Sequence, residues 1–187
     1  RQASSPNEEG QAVAPESACG PPVMYQQWRD LLFLHWETDP ARIQRTLPPG
    51  LHVDTYRGRG YLGIVPFRMQ RVRPRFFPPV PGLSAFPELN LRTYVVDGTG
   101  LPEIWFYSLD AGHWLAVRIA RSFFHLPYHR ARMSWKRDDR GHTCFLAERG
   151  KHPSQEFRYK SDGPAREAES GSLEAFLVER YLLYAYN

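Results

Sequence analysis

The chain has 187 residues, 42% of them hydrophobic and 14% aromatic, and a formal net charge of +4. This is enough for one core of ordinary domain size. It excludes a membrane-spanning helix, since no run approaches the ~20 apolar residues that a span needs and the cluster "LLFLHW" is ended at once by charge. Cys19 and Cys144 are too few for a disulfide framework or a structural zinc site, and no basic-then-apolar leader opens the chain, so a reducing cytoplasm is the expected setting.

Residues 1–23 hold Ser, Pro, Gly, Glu and Ala with almost nothing to bury, and are expected to be a disordered tail that adds nothing to the fold. Met24 opens the first patterned segment and reads as a natural start, giving a single domain over residues 24–187. "WRDLLFLHWE" (Trp28 to Glu37) reads as one largely buried strand. "TDPARIQRTLPPG" reads as a short helix, with Asp39 as N-cap, Pro40 at the first turn and Pro48-Pro49-Gly50 as the stop.

"LHVDTYRGRGYLGIVPF" predicts two strands joined at "RGRG", and "RMQRVRPRFFPPVPG" an irregular Arg- and Pro-rich loop. "ELNLRTYVV" and "IWFYSLDA" form a hairpin across "DGTG". "AGHWLAVRIARSFF" reads as a helix with Leu115, Ile119 and Phe123 on one stripe, and "ARMSWKRDDRGHTCFLAER" as a second hairpin turning at "DDRG". "SLEAFLVERYLLYAYN" starts as a helix capped by Ser172 and becomes strand-like at "YLLYAY". Strands are many and no βαβ rhythm appears. The expected class is α+β, mostly antiparallel β, with a curved or closed sheet and a few helices outside it.

Three motifs invite chemistry. "GRGYLG" (Gly58 to Gly63) matches a dinucleotide fingerprint letter for letter, but the strand-like "IVPF" follows where a helix N-terminus would have to meet the pyrophosphate, so a hairpin turn is expected and no cofactor. Arg68, Arg71, Arg73 and Arg75 lie beside Phe76 and Phe77, a composition that can hold single-stranded nucleic acid. No nucleic-acid-binding motif accompanies it, and a solvated loop whose arginines pair with carboxylates is the expected reading. His125 and His129 are separated by Pro127, and an extended segment would put them roughly 13 Å apart, so no metal site is expected.

"FPELNLRTYV" carries more. Alternation sets Leu89, Leu91, Thr93 and Val95 on one face of a strand and Glu88, Asn90, Arg92 and Tyr94 on the other, each about 6.6 Å from the next. In an open sheet the polar face meets water. In a closed barrel it lines a cavity, where a carboxylate, an amide, a guanidinium and a phenol converge on a ligand.

"WRDLLFLHWETDPARIQRTLPPGL", "YLGIVPFRM", "FPELNLRTYV", "FYSLDA" and "LPYHRARM", in this order, resemble the YqjF-like proteins, a largely uncharacterised bacterial family. The resemblance covers nearly everything after Met24. It implies the acetoacetate-decarboxylase-like fold, a cone-shaped antiparallel β-barrel with external helices and an internal cavity. Decarboxylases of that fold form a Schiff base through a lysine. In "ARSFFHLPYHRA" the resemblance aligns Arg121 with an arginine of their motif and Pro127 with a proline, and puts Tyr128 and His129 where a lysine pair would stand. Neither side chain has a primary amine, so imine chemistry is not expected. Arg29 and Glu88 match two further positions that arrange the decarboxylase cavity.

The resemblance therefore implies a barrel that binds a small anionic or carbonyl-containing molecule. Arg29, Arg92 and Arg121 would hold a carboxylate, with Asn90 and Tyr94 also lining the site. For any turnover, Glu88 or His129 would be the acid/base and Tyr128 a donor to a carbonyl or oxyanion; alternatively Tyr128 and His129 only pack and hydrogen-bond. The rival reading is a binding or scaffold protein that touches nucleic acid through Arg68 to Arg75. Members of the family continue past "RYLLYAYN" through additional strands, so the barrel is expected to be incomplete at its C-terminal end. The 187-residue chain is then expected either to self-associate through an open edge there or to be a fragment of a longer protein.

Overall fold

A computed structural model describes residues 24–80, 84–124, 126–164, 166–180 and 182–184. The predicted tail at residues 1–23, with Cys19, lies outside them, as do His125 and the last three residues. Eleven strands and three helices are present among the described residues. The main sheet is built on three long strands, β4 (Gly60–Pro74), β5 (Phe86–Val96) and β6 (Pro102–Ala111), paired antiparallel in sequence order. Both β1 (Met24–Arg29) and β2 (Leu34–Thr38) pair with the free side of β4, and β3 (His52–Val53) extends the edge of β5. On the far side of β6 run β7 (Tyr128–Arg130) and β11 (Leu182–Tyr184), both parallel to it. A second, three-stranded sheet is formed by β8 (Arg132–Arg137), β9 (Thr143–Glu148) and β10 (Gln155–Tyr159), with β9 central.

The three helices are α1 (Pro40–Gln44), α2 (Trp114–Phe124) and α3 (Leu173–Val178). Asp39 caps α1 by accepting from the Ala41 N–H at 2.9 Å, and Ser172 caps α3 by accepting from the Ala175 N–H at 3.1 Å, as their sequences predict. The architecture is layered. On one face of β4–β6, Val65, Phe67, Met69, Phe86 and Ala111 pack with Val117 of α2, and Tyr61 and Tyr94 pack with Leu177 of α3. On the opposite face, Leu89 packs with Phe145 and Ala147 of the second sheet. A long strand buried on both sides must be apolar or internally satisfied all along its length. Accordingly, eight of the eleven residues of β5 are buried and the other three are the apolar Pro87, Leu91 and Val96. Glu88, Asn90, Arg92 and Tyr94 lie on the helix-covered face, while Thr93 faces the other way and donates to the Tyr61 carbonyl at 2.8 Å.

Four expectations need correction. Among the described residues the strands do not close into a barrel: β1 and β2 at one side and β7 and β11 at the other have no pairing with each other. The helices are not all outside an enclosed sheet, because α2 and α3 cover the face that carries Glu88. "WRDLLFLHWE" is two strands, not one. Asp30, at φ 55°, turns the chain so that both halves pair with β4, and it is held there by Arg68, Arg137 and the Tyr159 hydroxyl. The segment from Arg68 continues β4 to Pro74 rather than forming a loop at once; Arg68 lies 3.9 Å over the Trp135 ring and Arg73 4.5 Å over the Tyr25 ring. The "GRGYLG" stretch is the hairpin turn expected, with Arg57 and Gly58 at positive φ and β4 beginning at Gly60. No helix among the described residues is long and apolar enough to cross a membrane.

Candidate functional site

The alternation of β5 gathers Glu88, Asn90, Arg92 and Tyr94 under α2 and α3. Their exposures are 2%, 2%, 2% and 0%. This buried polar row runs along the middle of the sheet, and each end of it has its own partners.

At one end stands Glu88. Its strand neighbours are Phe67 and Ala111, and Tyr128 donates to both carboxyl oxygens, at 3.2 and 3.1 Å. Tyr128 reaches this face because it lies opposite Leu109 on β6, and Leu109 in turn lies opposite Asn90 on β5. Burial raises the Glu88 acid to about 8, against a smaller opposing effect of the Tyr128 hydrogen bond. At neutral pH Glu88 is therefore mostly protonated and can itself donate a proton or a hydrogen bond. Burial and the Glu88 charge raise the Tyr128 phenol, which keeps it a donor. Beside this pair, Asn90 Oδ1 is buried without a partner. An unpaired buried acceptor is costly, and a donor brought by a bound molecule would relieve that cost.

At the other end, Arg92 Nη2 donates to Tyr94 Oη and to the Leu177 carbonyl, both at 3.2 Å, and Tyr94 donates to the same carbonyl at 2.8 Å. His35 Nε2 lies 2.6 Å from Tyr94 Oη. Since the phenol proton goes to Leu177, His35 must donate here from Nε2. Burial followed by the Arg92 charge lowers His35 to about 4, so at neutral pH the ring is uncharged and this bond selects its Nε2–H tautomer. No carboxylate pairs with Arg92 among the described residues, and its Nε is buried without a partner. A guanidinium so deeply buried normally meets an anion. Phe33 lies 5.2 Å from it, and Arg180, paired with Asp54, stacks over Phe176 and Tyr94. The close approach of His35 and Arg92 depends on Gly63: a Cβ there would lie 3.1 Å from the His35 ring and 3.4 Å from Arg92 Cγ.

The structure thus brings together Glu88, Asn90, Arg92, Tyr94 and Tyr128, and separates the other three expected residues from them. His129 neighbours Tyr128 in the chain, so it points to the opposite face, beside Asp110. Arg29 lies opposite Arg68, which also faces the second sheet, and is exposed. Arg121 is exposed in the last turn of α2, where it complements the helix dipole instead of lining the site. His35, Phe33, Arg180 and the Leu177 carbonyl were not anticipated as part of the site. Only His35 left a signal, since alternation through "LFLHWE" would have set it across from Trp36.

The family DUF2071, described as an uncharacterized conserved protein, matches residues 25–187. The uncharacterized protein YqjF of Bacillus subtilis (strain 168) is 43% identical over 163 residues, which are 87% of this chain and 67% of that protein. Among solved structures, an acetoacetate decarboxylase-like enzyme from Sphingomonas wittichii RW1 superimposes with a TM-score of 0.54 at 16% identity, over 75% of this chain and 60% of that one. Acetoacetate decarboxylase from Legionella pneumophila gives 0.55 at 16% identity, over 81% and 58% of the two chains. The enduracididine biosynthesis enzyme MppR complexed with pyruvate gives 0.53 at 13% identity, over 84% and 64%. Against these solved structures the chain spans about three fifths of the partner's length. What is shared at such identities is the fold.

Proposed function

The chain belongs to the DUF2071 family, and from that premise we propose that its helix-covered sheet face binds an extended oxo acid, a small molecule with a carboxylate at one end and a carbonyl at the other. The observation that carries this reading is Arg92, a buried guanidinium without a carboxylate partner, on the same strand face as a protonated Glu88. The ligand carboxylate takes the place of the Leu177 carbonyl on Arg92 and Tyr94. The ligand carbonyl accepts from Glu88 and Tyr128, and a hydroxyl or amide donor between them answers Asn90 Oδ1. Arg92 and Glu88 are four residues apart on an extended strand, roughly 13 Å between Cα atoms. A three-carbon acid can satisfy one end only; a longer one satisfies both.

The binding is non-covalent in this reading. The chain has three lysines, Lys136, Lys151 and Lys160, all exposed on strands or turns away from this face, and Tyr128 offers a phenol where a Schiff base would need an amine. The test is a titration with 6-oxoheptanoate and with pyruvate, followed by borohydride. The longer acid is expected to bind more tightly, Arg92→Gln to weaken it by about tenfold or more, the loss typical of a charge-assisted pair, and reduction to leave the protein mass unchanged. Equal affinity of the Arg92→Gln protein, or a reduced adduct on any lysine, contradicts the proposal. The nucleic-acid reading gains no support from a specific contact: Arg68 and Arg73 are stacked on Trp135 and Tyr25 within the protein.

A further inference from the structure

His129 is not part of the site beneath the helices, yet it stands in a second constellation on the other face of the sheet. A groove of about 470 Å³ opens there, within the size range of small-ligand sites. Its floor is Leu91, Tyr107 and Ser108. Leu91 and Ser108 are paired across β5 and β6, and Tyr107 is the residue at which the register of these two strands shifts. The phenol of Tyr107 is fixed by Thr46 at 2.6 Å, so its ring is a positioned apolar surface.

The rim is cationic and comes from two separate parts of the chain. His129 projects from β7. Arg149, Lys151 and His152 come from the tight turn after β9, closed by the His152 N–H on the Arg149 carbonyl at 3.0 Å, with Gly150 at φ 56°. The turn is fastened over the groove by one ion pair, Arg149 Nη1 to Asp110 Oδ1 at 2.9 Å. Asp110 is 5% exposed and is the carboxylate around which Arg149, His129 and His152 gather. It matches one positive charge. Lys151 is left without a carboxylate partner among the described residues, next to two imidazoles that can donate hydrogen bonds. An apolar, aromatic floor bounded on one side by excess positive charge fits a dianion carried on a flat apolar group.

We infer that this groove is a second binding site, separate from the one beneath the helices, and that it takes a phosphate monoester with an aromatic or similarly flat apolar substituent. The phosphate sits against Lys151, His152 and His129, where charge-assisted donors converge, and the substituent lies on Leu91 and Tyr107. The inference does not depend on the oxo-acid reading, because the two sites lie on opposite faces of the sheet and share no residue.

Phenyl phosphate, inorganic phosphate and phenol, each titrated at low salt while the backbone amide spectrum is followed, test the assignment. Phenyl phosphate is expected to shift the amides of Leu91, Ser108, His129 and Gly150 saturably, with a Kd below about 1 mM. Inorganic phosphate should bind several-fold more weakly and phenol not measurably. The double substitution Lys151→Ala with His152→Ala, at exposed positions where the spectrum itself reports folding, should weaken phenyl phosphate about tenfold, while Arg92→Gln leaves it unchanged. No saturable shift, unchanged affinity in the double variant, or shifts centred on Asn90 and Arg92 would each overturn the site. Equal binding of inorganic and phenyl phosphate would overturn the role given to the floor.

Discussion

Glu88 and His35 are both buried titratable groups, and their burial acts on stability with opposite signs. The Glu88 acid rises from 4.5 to about 8, so between those values the folded protein holds a proton that the unfolded chain releases, and stability falls as pH rises. His35 falls from 6.5 to about 4, so between those values the unfolded chain takes a proton that the folded protein refuses, and stability is lost as pH falls. From pH 4.5 to 6.5 the two slopes oppose each other. From 6.5 to 8 Glu88 acts without His35, and the protein is expected to lose about 2 kcal/mol of unfolding free energy across that interval. Urea unfolding at pH 6.5 and pH 8 measures this directly. Glu88→Gln, which keeps the shape and an acceptor for Tyr128 but does not titrate, should abolish the decline; a decline that persists in the variant would assign it to another group.

Strand alternation decided which residues could be read from the sequence. Glu88, Asn90, Arg92 and Tyr94 were legible as one face because β5 is a regular extended strand through all four, and its register shift opposite Tyr107 lies on β6. Tyr128 and His129 were read as a pair because a motif placed them together, but adjacent residues of a strand face opposite ways, and β7 sends them to different layers. The partners of Arg92 and Tyr94 were not legible at all. The Leu177 carbonyl lies more than eighty positions along the chain, and no local pattern in "SLEAFLV" indicates that its helix will end over two buried donors. That helix has only six residues, and its start depends on Ser172. Ser172→Ala is expected to cost about 1 kcal/mol, and to speed amide exchange in α3 more than in β4 or β5. Uniform acceleration across the molecule would show that α3 opens only by global unfolding.

At the scale of the whole molecule, the strand-rich class was legible and the closed barrel was not. Alternation and turn residues fix which segments are strands, whereas closure depends on which edges meet, and among the described residues β11 joins β6 in parallel and pairs with neither β1 nor β2. The layered result serves the site differently from a barrel. One face of a single sheet is covered by helices over a polar row, the other by a second sheet over Leu89 and Phe145, and Glu88 is buried on the face where α2 packs on Phe67 and Ala111. The account stands on one claim, that this sealed row receives a ligand. A crystal soaked in 6-oxoheptanoate tests it most directly. The account predicts density along the helix-covered face, with the carboxylate on Arg92 and Tyr94 where the Leu177 carbonyl now sits and the ketone oxygen within hydrogen-bonding distance of Tyr128 and Glu88. An unoccupied face with α3 unmoved, or density joined to a lysine, would contradict it.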